Sequence, residues 1–201
     1  MPDKDTFITI KSKAEGQVTE KRSKFLAFAY PVEDVESVKE LLDGLKKEYY
    51  DARHICWAYM LGPHQEVLRA NDDGEPSGTA GKPILGQIKS NELTNIVIFV
   101  IRYFGGVKLG TGGLIVAYKE AAAECLSRAE FVEKTIDKAL SFYFDYTMMN
   151  AVMKIIKDLE PQIVTQTYDN ECFMTLQIRA GLFLQLMQRL SKIESLRFVE
   201  D

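Results

Sequence analysis

An α+β protein in two domains is what the sequence predicts, and three observations carry it. A helical period of three and four runs through residues 35–49, behind two extended segments. Residues 95–103 form an apolar, β-branched run that suits a strand buried on both faces. The last third reads β-α-β-β-α-β, the split βαβ or ferredoxin-like order. Apolar patterning breaks at Glu133-Lys134, which sets expected domains at 1–133 and 134–201.

Taken in order, Thr6-Phe7-Ile8-Thr9-Ile10 alternates as a half-buried strand. Residues 16–30 hold a second extended segment, with Phe25, Ala27 and Ala29 on one face and Leu26, Phe28 and Tyr30 on the other. Val35, Val38, Leu41, Leu42, Leu45 and Tyr49 then line one face of a helix capped by Asp34. Residues 55–61 and 66–70 read as paired strands joined at Gly62-Pro63. Turn chemistry fills 71–81, before a helix bearing Ile84, Leu85 and Ile88. A second glycine-rich stretch follows the 95–103 strand and leads into an Ala-rich helix over 114–128. In the last third, 142–146 is a strand and 147–160 a helix stopped by Pro161. Strands at 163–168 and 172–178 flank a turn at Asp169-Asn170. A helix at 182–193 and a strand at 196–199 end the chain.

The 201 residues carry 25 Lys and Arg against 29 Asp and Glu, a net charge of −4. The whole chain is therefore no strongly basic nucleic-acid module, although binding responds to local charge. Lys11, Lys13, Lys21, Arg22 and Lys24 face only Glu15 and Glu20, either a phosphate-binding stretch or a solvated hairpin. Cys56, Cys125 and Cys172 are odd in number and never in a Cys-x-x-Cys pair, which argues for a reducing compartment. With His54 and His64 the only imidazoles, no zinc spacing is available, and neither metal nor cofactor is assigned. The polar start Met1-Pro2-Asp3-Lys4-Asp5 has no apolar signal core, and the longest wholly apolar run, residues 96–101, falls far short of the ~20 a bilayer needs. A cytoplasmic protein without a membrane partner is expected.

Two segments are richer in glycine and polar residues than a simple connection requires. One runs from Asn71 through Asp72, Asp73, Gly74, Glu75, Pro76, Ser77, Gly78, Thr79, Ala80 and Gly81 to Lys82-Pro83. The other runs from Arg102 through Tyr103, Phe104, Gly105, Gly106, Val107, Lys108, Leu109, Gly110, Thr111, Gly112 and Gly113 to Leu114. Each leads from a strand into a helix, where unpaired N–H groups attract anions and glycine lets a phosphate approach. The alternative is that the glycines serve tight turns. The second segment lacks both the dinucleotide fingerprint and the P-loop ending. Asp72, Asp73 and Glu75 read either as Mg²⁺ ligands or a general base, or as Asx turns bonding their own backbone. Ser77 and Thr79 suit helix capping. His54 and Cys56 share a strand face, either as a nucleophilic pair or as a bonded histidine beside a buried thiol. Without a convincing nucleophile–base pair, no catalytic residue is assigned. Tyr59, Tyr103 and Phe104 are candidate stacking surfaces.

These two segments resemble the signature blocks of the YigZ/IMPACT family, and Lys21-Arg22-Ser23-Lys24-Phe25 and Asp51-Ala52-Arg53-His54-Ile55-Cys56-Trp57-Ala58-Tyr59 resemble its earlier blocks. The resemblance implies a first domain similar to the second domain of ribosomal small-subunit protein five, a two-layer α/β fold with a left-handed βαβ crossover. It implies a C-terminal ferredoxin-like domain similar to those of elongation factor G. In eukaryotic members it implies translational control, through competition for the activator of the kinase that senses amino-acid starvation. The expected function is a cytosolic RNA- or ribosome-associated binding protein with a regulatory role in translation. An enzyme acting on a phosphorylated small molecule, and a protein–protein adaptor, are the alternatives. The ligand residues expected are Arg53, His54, Asp72, Asp73, Glu75, Ser77, Thr79, Lys82, Arg102, Tyr103, Gly105, Gly106, Lys108, Gly110, Thr111, Gly112 and Gly113. One departure stands out: Val116 occupies a place shortly before Ala117-Tyr118 where the family has a basic residue. If that residue touches a phosphate, this chain has lost one contact.

Overall fold

The structure, a computed structural model, describes residues 5–169 and 171–199. The polar stretch 1–4 and Asn170 of the Asp169-Asn170 turn lie outside the described residues. Two compact units divide the chain: Phe7–Lys134, and Thr135 onward together with the residues up to Thr6.

The first unit is built on a five-stranded sheet. Its strands are β2 (Ala14–Glu20), β3 (Ser23–Pro31), β4 (His54–Leu61), β5 (Val67–Asn71) and β6 (Ile96–Tyr103), in the order β2-β3-β6-β4-β5. Every neighbouring pair is antiparallel. Strands β3 and β4 therefore run the same way on either side of β6, and α1 (Val35–Glu48) joins them. By the same logic β5 and β6 are parallel and end at the same sheet edge. Strand β6 is buried on both faces, as its unbroken apolar run requires.

Strand parity divides the core. Phe25, Ala27, Ala29, Cys56, Ala58, Ile96, Ile98 and Val100 face α2 (Gly81–Ser90) and α3 (Gly110–Ser127), which supply Ile84, Ile88, Tyr118 and Ala121. Phe28, Trp57, Tyr59, Val97, Phe99 and Ile101 face α1, through Val38 and Leu45. Helices thus cover both faces of the sheet, one layer more than the two expected, because residues of both parities on the inner strands are apolar. Asp34 Oδ1 accepts the Ser37 N–H at 2.7 Å and caps α1 as its position suggests. Helix α3 begins at Gly110, four residues before its sequence signal. Residues 131–135, where apolar patterning breaks, form strand β7 (Phe131–Thr135), which pairs with β1 (Thr6–Ile10).

The second unit contains β8 (Asp137–Phe144), a 3-10 turn, α4 (Met149–Leu159), β9 (Gln162–Tyr168), β10 (Cys172–Arg179), α5 (Ala180–Leu190) and β11 (Arg197–Phe198). The sheet order β11-β8-β10-β9 with antiparallel neighbours is the ferredoxin-like arrangement. Phe142, Phe144, Met174 and Leu176 face Val152, Ile156, Leu186 and Leu190 of its two helices.

Candidate functional site

Because β5 and β6 end at one edge, the 71–81 and 103–110 connections emerge side by side. The first is held by its own polar groups. Asn71 Oδ1 accepts the Asp73 N–H at 2.7 Å. The Asp72 carboxylate accepts the N–H groups of Gly78, Ala80 and Gly81 at 2.8, 3.0 and 2.8 Å, and so caps α2 from eight residues upstream. Burial pushes the Asp72 carboxyl upward, but these three N–H groups, with Lys82 nearby, outweigh it and hold the group below its ordinary value. Asp73 Oδ2 accepts the Ile55 N–H at 2.6 Å, and its carbonyl lies 2.7 Å from His54 Nδ1. A carbonyl only accepts, so Nδ1 carries the proton.

Of the three acidic residues, Glu75 has a different role. It is buried, and Oε1 accepts from Arg102 Nη1 at 2.6 Å and from Tyr118 Oη at 2.8 Å. This pair joins the two glycine-rich segments. Arg102 stands on the α2/α3 face of β6, beside His54 in register, and is only 7 % exposed. Its guanidinium carbon lies 5.7 Å from the ring centroids of both Phe25 and Phe104. Its Nε is buried and has no hydrogen-bond partner among the described residues.

A cleft of about 410 Å³ opens over this pair. Of the residues expected to bind a ligand, Arg53, His54, Glu75, Arg102, Lys108, Gly110 and Thr111 line it, together with Pro76, Phe104, Leu109 and Leu114. Helix α3 begins here with no side-chain cap and no acidic residue in its first turn. Apart from its chain neighbours and the backbone of its own helix, no heavy atom lies within 4 Å of where a Gly112 side chain would start. Arg53, Arg102 and Lys108 face Glu75 alone among acidic residues in the lining, in a chain of net charge −4.

The other expected residues serve the scaffold or sit outside the lining. Asp72 and Asp73 bond backbone, so they offset no cation in the cleft; Glu75 does that instead. Thr79 is buried and donates its hydroxyl to Pro76 O at 2.6 Å, while Ser77 and Lys82 are exposed away from the lining. Gly105 packs so closely that a Cβ would lie 2.0 Å from Arg22 C, and Gly106 adopts a φ of 84°. Gly112 and Gly113 are in the first turn of α3, outside the lining. Tyr103 and Tyr59 pack on the α1 face; Tyr103 Oη donates to Asp51 at 2.8 Å, and burial, then Asp51, pushes the phenol up to about 12. Phe104 alone of the three aromatic candidates reaches the cleft, and it is exposed.

No Cys–His pair forms. His54 bonds Asp73, while Cys56 Sγ lies 3.0 Å from Asp72 O and 3.3 Å from Tyr118 Oη. Burial pushes both the Cys56 thiol and the Tyr118 phenol far up, so neither supplies an anion near neutral pH. Among the described residues no three His, Cys, Asp or Glu side chains are grouped to hold a metal ion. Nor is any helix among them long and apolar enough to cross a membrane. Tyr118, which completes the Glu75 network, has no sequence signal beyond its place on the inner face of α3.

A sheet with a cation-lined cleft at its edge, followed by a ferredoxin-like unit, describes a two-domain α+β protein. The Impact N-terminal domain model matches residues 21–126, so the chain belongs to the IMPACT family. It is 35% identical over 153 residues to the IMPACT family member YvyE of Bacillus subtilis, covering 76% of this chain and 70% of that one. An IMPACT family member of Haemophilus influenzae is 31% identical over 181 residues, 89% of this chain and 88% of its own. The crystal structure of a hypothetical protein, 27% identical, superposes with a TM-score of 0.74 over 98% of both chains.

Proposed function

We propose that this chain, with domains at 1–133 and 134–201, is a cytosolic RNA- or ribosome-associated binding protein with a regulatory role in translation. One observation carries the reading: Arg53, Arg102 and Lys108 converge on an uncapped helix start beside exposed Phe104. Cations and open N–H groups suit phosphate, and a free aromatic face suits a base. The family supports a role in translation by resemblance. The test is sedimentation with ribosomes across a salt series. Association at low salt that weakens as salt rises is expected. No association at low salt overturns the reading.

A protein–protein adaptor is the second reading, favoured by Val107, Ile115 and Val116, which are exposed on the loop and helix next to Phe104. Val116 adds apolar surface at the place where the family resemblance implies a basic residue. Association that survives nuclease treatment of a lysate supports this reading over the first.

A further inference from the structure

We infer that the cleft takes a terminal phosphate monoester of a nucleotide, seated between the start of α3 and the inner edge of Arg102, in preference to an internal phosphodiester. The inference rests on the RNA reading only in assigning the phosphate to a nucleotide.

Three features lead there. Helix α3 runs for 18 residues and presents its first N–H groups without a side-chain cap, whereas Asp72 occupies the start of α2. The two helix starts therefore differ in whether a carboxylate already fills them. The second feature is Arg102, whose buried Nε is unpartnered while Nη1 is committed to Glu75. An unpaired N–H at this depth favours an acceptor that enters the cleft. The third is depth itself. Arg102 is only 7 % exposed, so an acceptor must penetrate to reach it. An internal diester carries a sugar on both sides and has two free oxygens. A monoester has one substituent and three free oxygens, and can enter end-on. Its nucleoside then lies toward the cleft mouth, where Phe104 offers a ring and Lys108 a cation. A cleft of about 410 Å³ falls within the usual size range of small-ligand sites.

The source of the monoester, an RNA end or a free nucleotide, is separable. The experiment compares a fluorescent heptauridine bearing a 5′-phosphate with the same oligonucleotide bearing a 5′-hydroxyl, and AMP with adenosine as competitors. A preference of about tenfold for the phosphate is expected in each pair. AMP competing as well as the unlabelled phosphorylated oligonucleotide assigns the site to free nucleotides, and weaker competition assigns it to RNA ends. Gly112→Asp supplies the control, because its side chain enters open space and a first-turn carboxylate suits the helix dipole. The variant should melt no lower than the parent, yet lose the preference for phosphate. Equal binding of phosphate and hydroxyl forms overturns the inference and leaves the RNA reading intact. Binding of AMP and the phosphorylated oligonucleotide, without the hydroxyl form or ribosomes, overturns the RNA reading and keeps the inference. A phosphate preference that persists in Gly112→Asp, with the fold intact, removes the α3 seat and overturns the inference.

Discussion

Arg102 and Glu75, 27 residues apart in sequence, meet at 2.6 Å in a buried ion pair that ties one glycine-rich segment to the other. Glu75 also accepts the Tyr118 hydroxyl, so one carboxylate anchors a strand end, a loop and a helix. Removing one member of a buried pair strands the other charge. Glu75→Ala is expected to lower stability by about 3–5 kcal/mol in urea unfolding. Glu75→Gln, which keeps an acceptor for Tyr118, should cost less. A loss below about 1 kcal/mol for Glu75→Ala would show that water relieves Arg102 in solution.

Asp72 caps α2 across a loop, and its loss should resemble the loss of an N-cap, about 1–2 kcal/mol for Asp72→Ala. The pH dependence has a definite sign. The folded carboxyl titrates below its ordinary 3.8, so its stabilisation is complete above that value and disappears as pH falls through the lower, folded one. The stability gap between parent and Asp72→Ala should be constant near neutrality and close in acid. A gap that widened in acid would contradict the assigned bonds.

Legibility in the sequence followed the range of each interaction. Strand β6, helix α1 and the βαββαβ order of the second unit come from local periodicity, and they stand where that periodicity puts them. Helix α3 was legible only from Leu114, because three glycines in its first turn weaken the helical signal. Strand β7 was hidden since Phe-Val-Glu-Lys-Thr is mostly exposed and earns its place by pairing with β1. The acidic run offered ligand and turn readings alike; contacts with Ile55 and the α2 start separate Asp72 and Asp73 from Glu75. Tyr118 meets Glu75 across 43 residues, which no spacing rule reaches. Strand parity could have set Tyr59 and Tyr103 apart from Phe104, since both share the α1 face with Trp57 and Ile101.

The glycines of the second segment should respond to substitution in opposite directions. At Gly105 a Cβ would come within 2.0 Å of Arg22 C, so Gly105→Ala forces the β2–β3 turn away and should cost about 1–3 kcal/mol. At Gly112 the same methyl meets nothing in a helical residue, and Gly112→Ala should raise stability by about 0.4–1 kcal/mol. Thermal melts of the two variants check both signs. A turn role for Gly112 would instead predict destabilisation.

In the second unit, neighbours on one strand should differ sharply. Phe142 is fully buried against α4 and α5, whereas Tyr143 points to the open sheet face and is 39 % exposed. Phe142→Ala should cost about 3–5 kcal/mol. Tyr143→Ala gives up a tilted contact with Phe173, at 4.9 Å between centroids, and should cost about 0.5–1.5 kcal/mol. Similar losses at the two positions would mean that the outer face is packed in solution.

Lys108 gives the cleanest test of the charge in the cleft, because it is exposed and forms no ion pair among the described residues. Its replacement should therefore leave folding unchanged, unlike any change at Arg102. Each phosphate contact on a single strand contributes about 0.7 to the slope of log affinity against log salt. Lys108→Ala should reduce that slope by about this amount for a single-stranded RNA and weaken binding most at low salt. Phe104→Ala should do the reverse, lowering affinity at every salt concentration while the slope holds, since stacking releases no counterions. Measuring both variants across one salt series separates the phosphate contact from the base contact, and an unchanged slope in Lys108→Ala would place the phosphate elsewhere on the molecule.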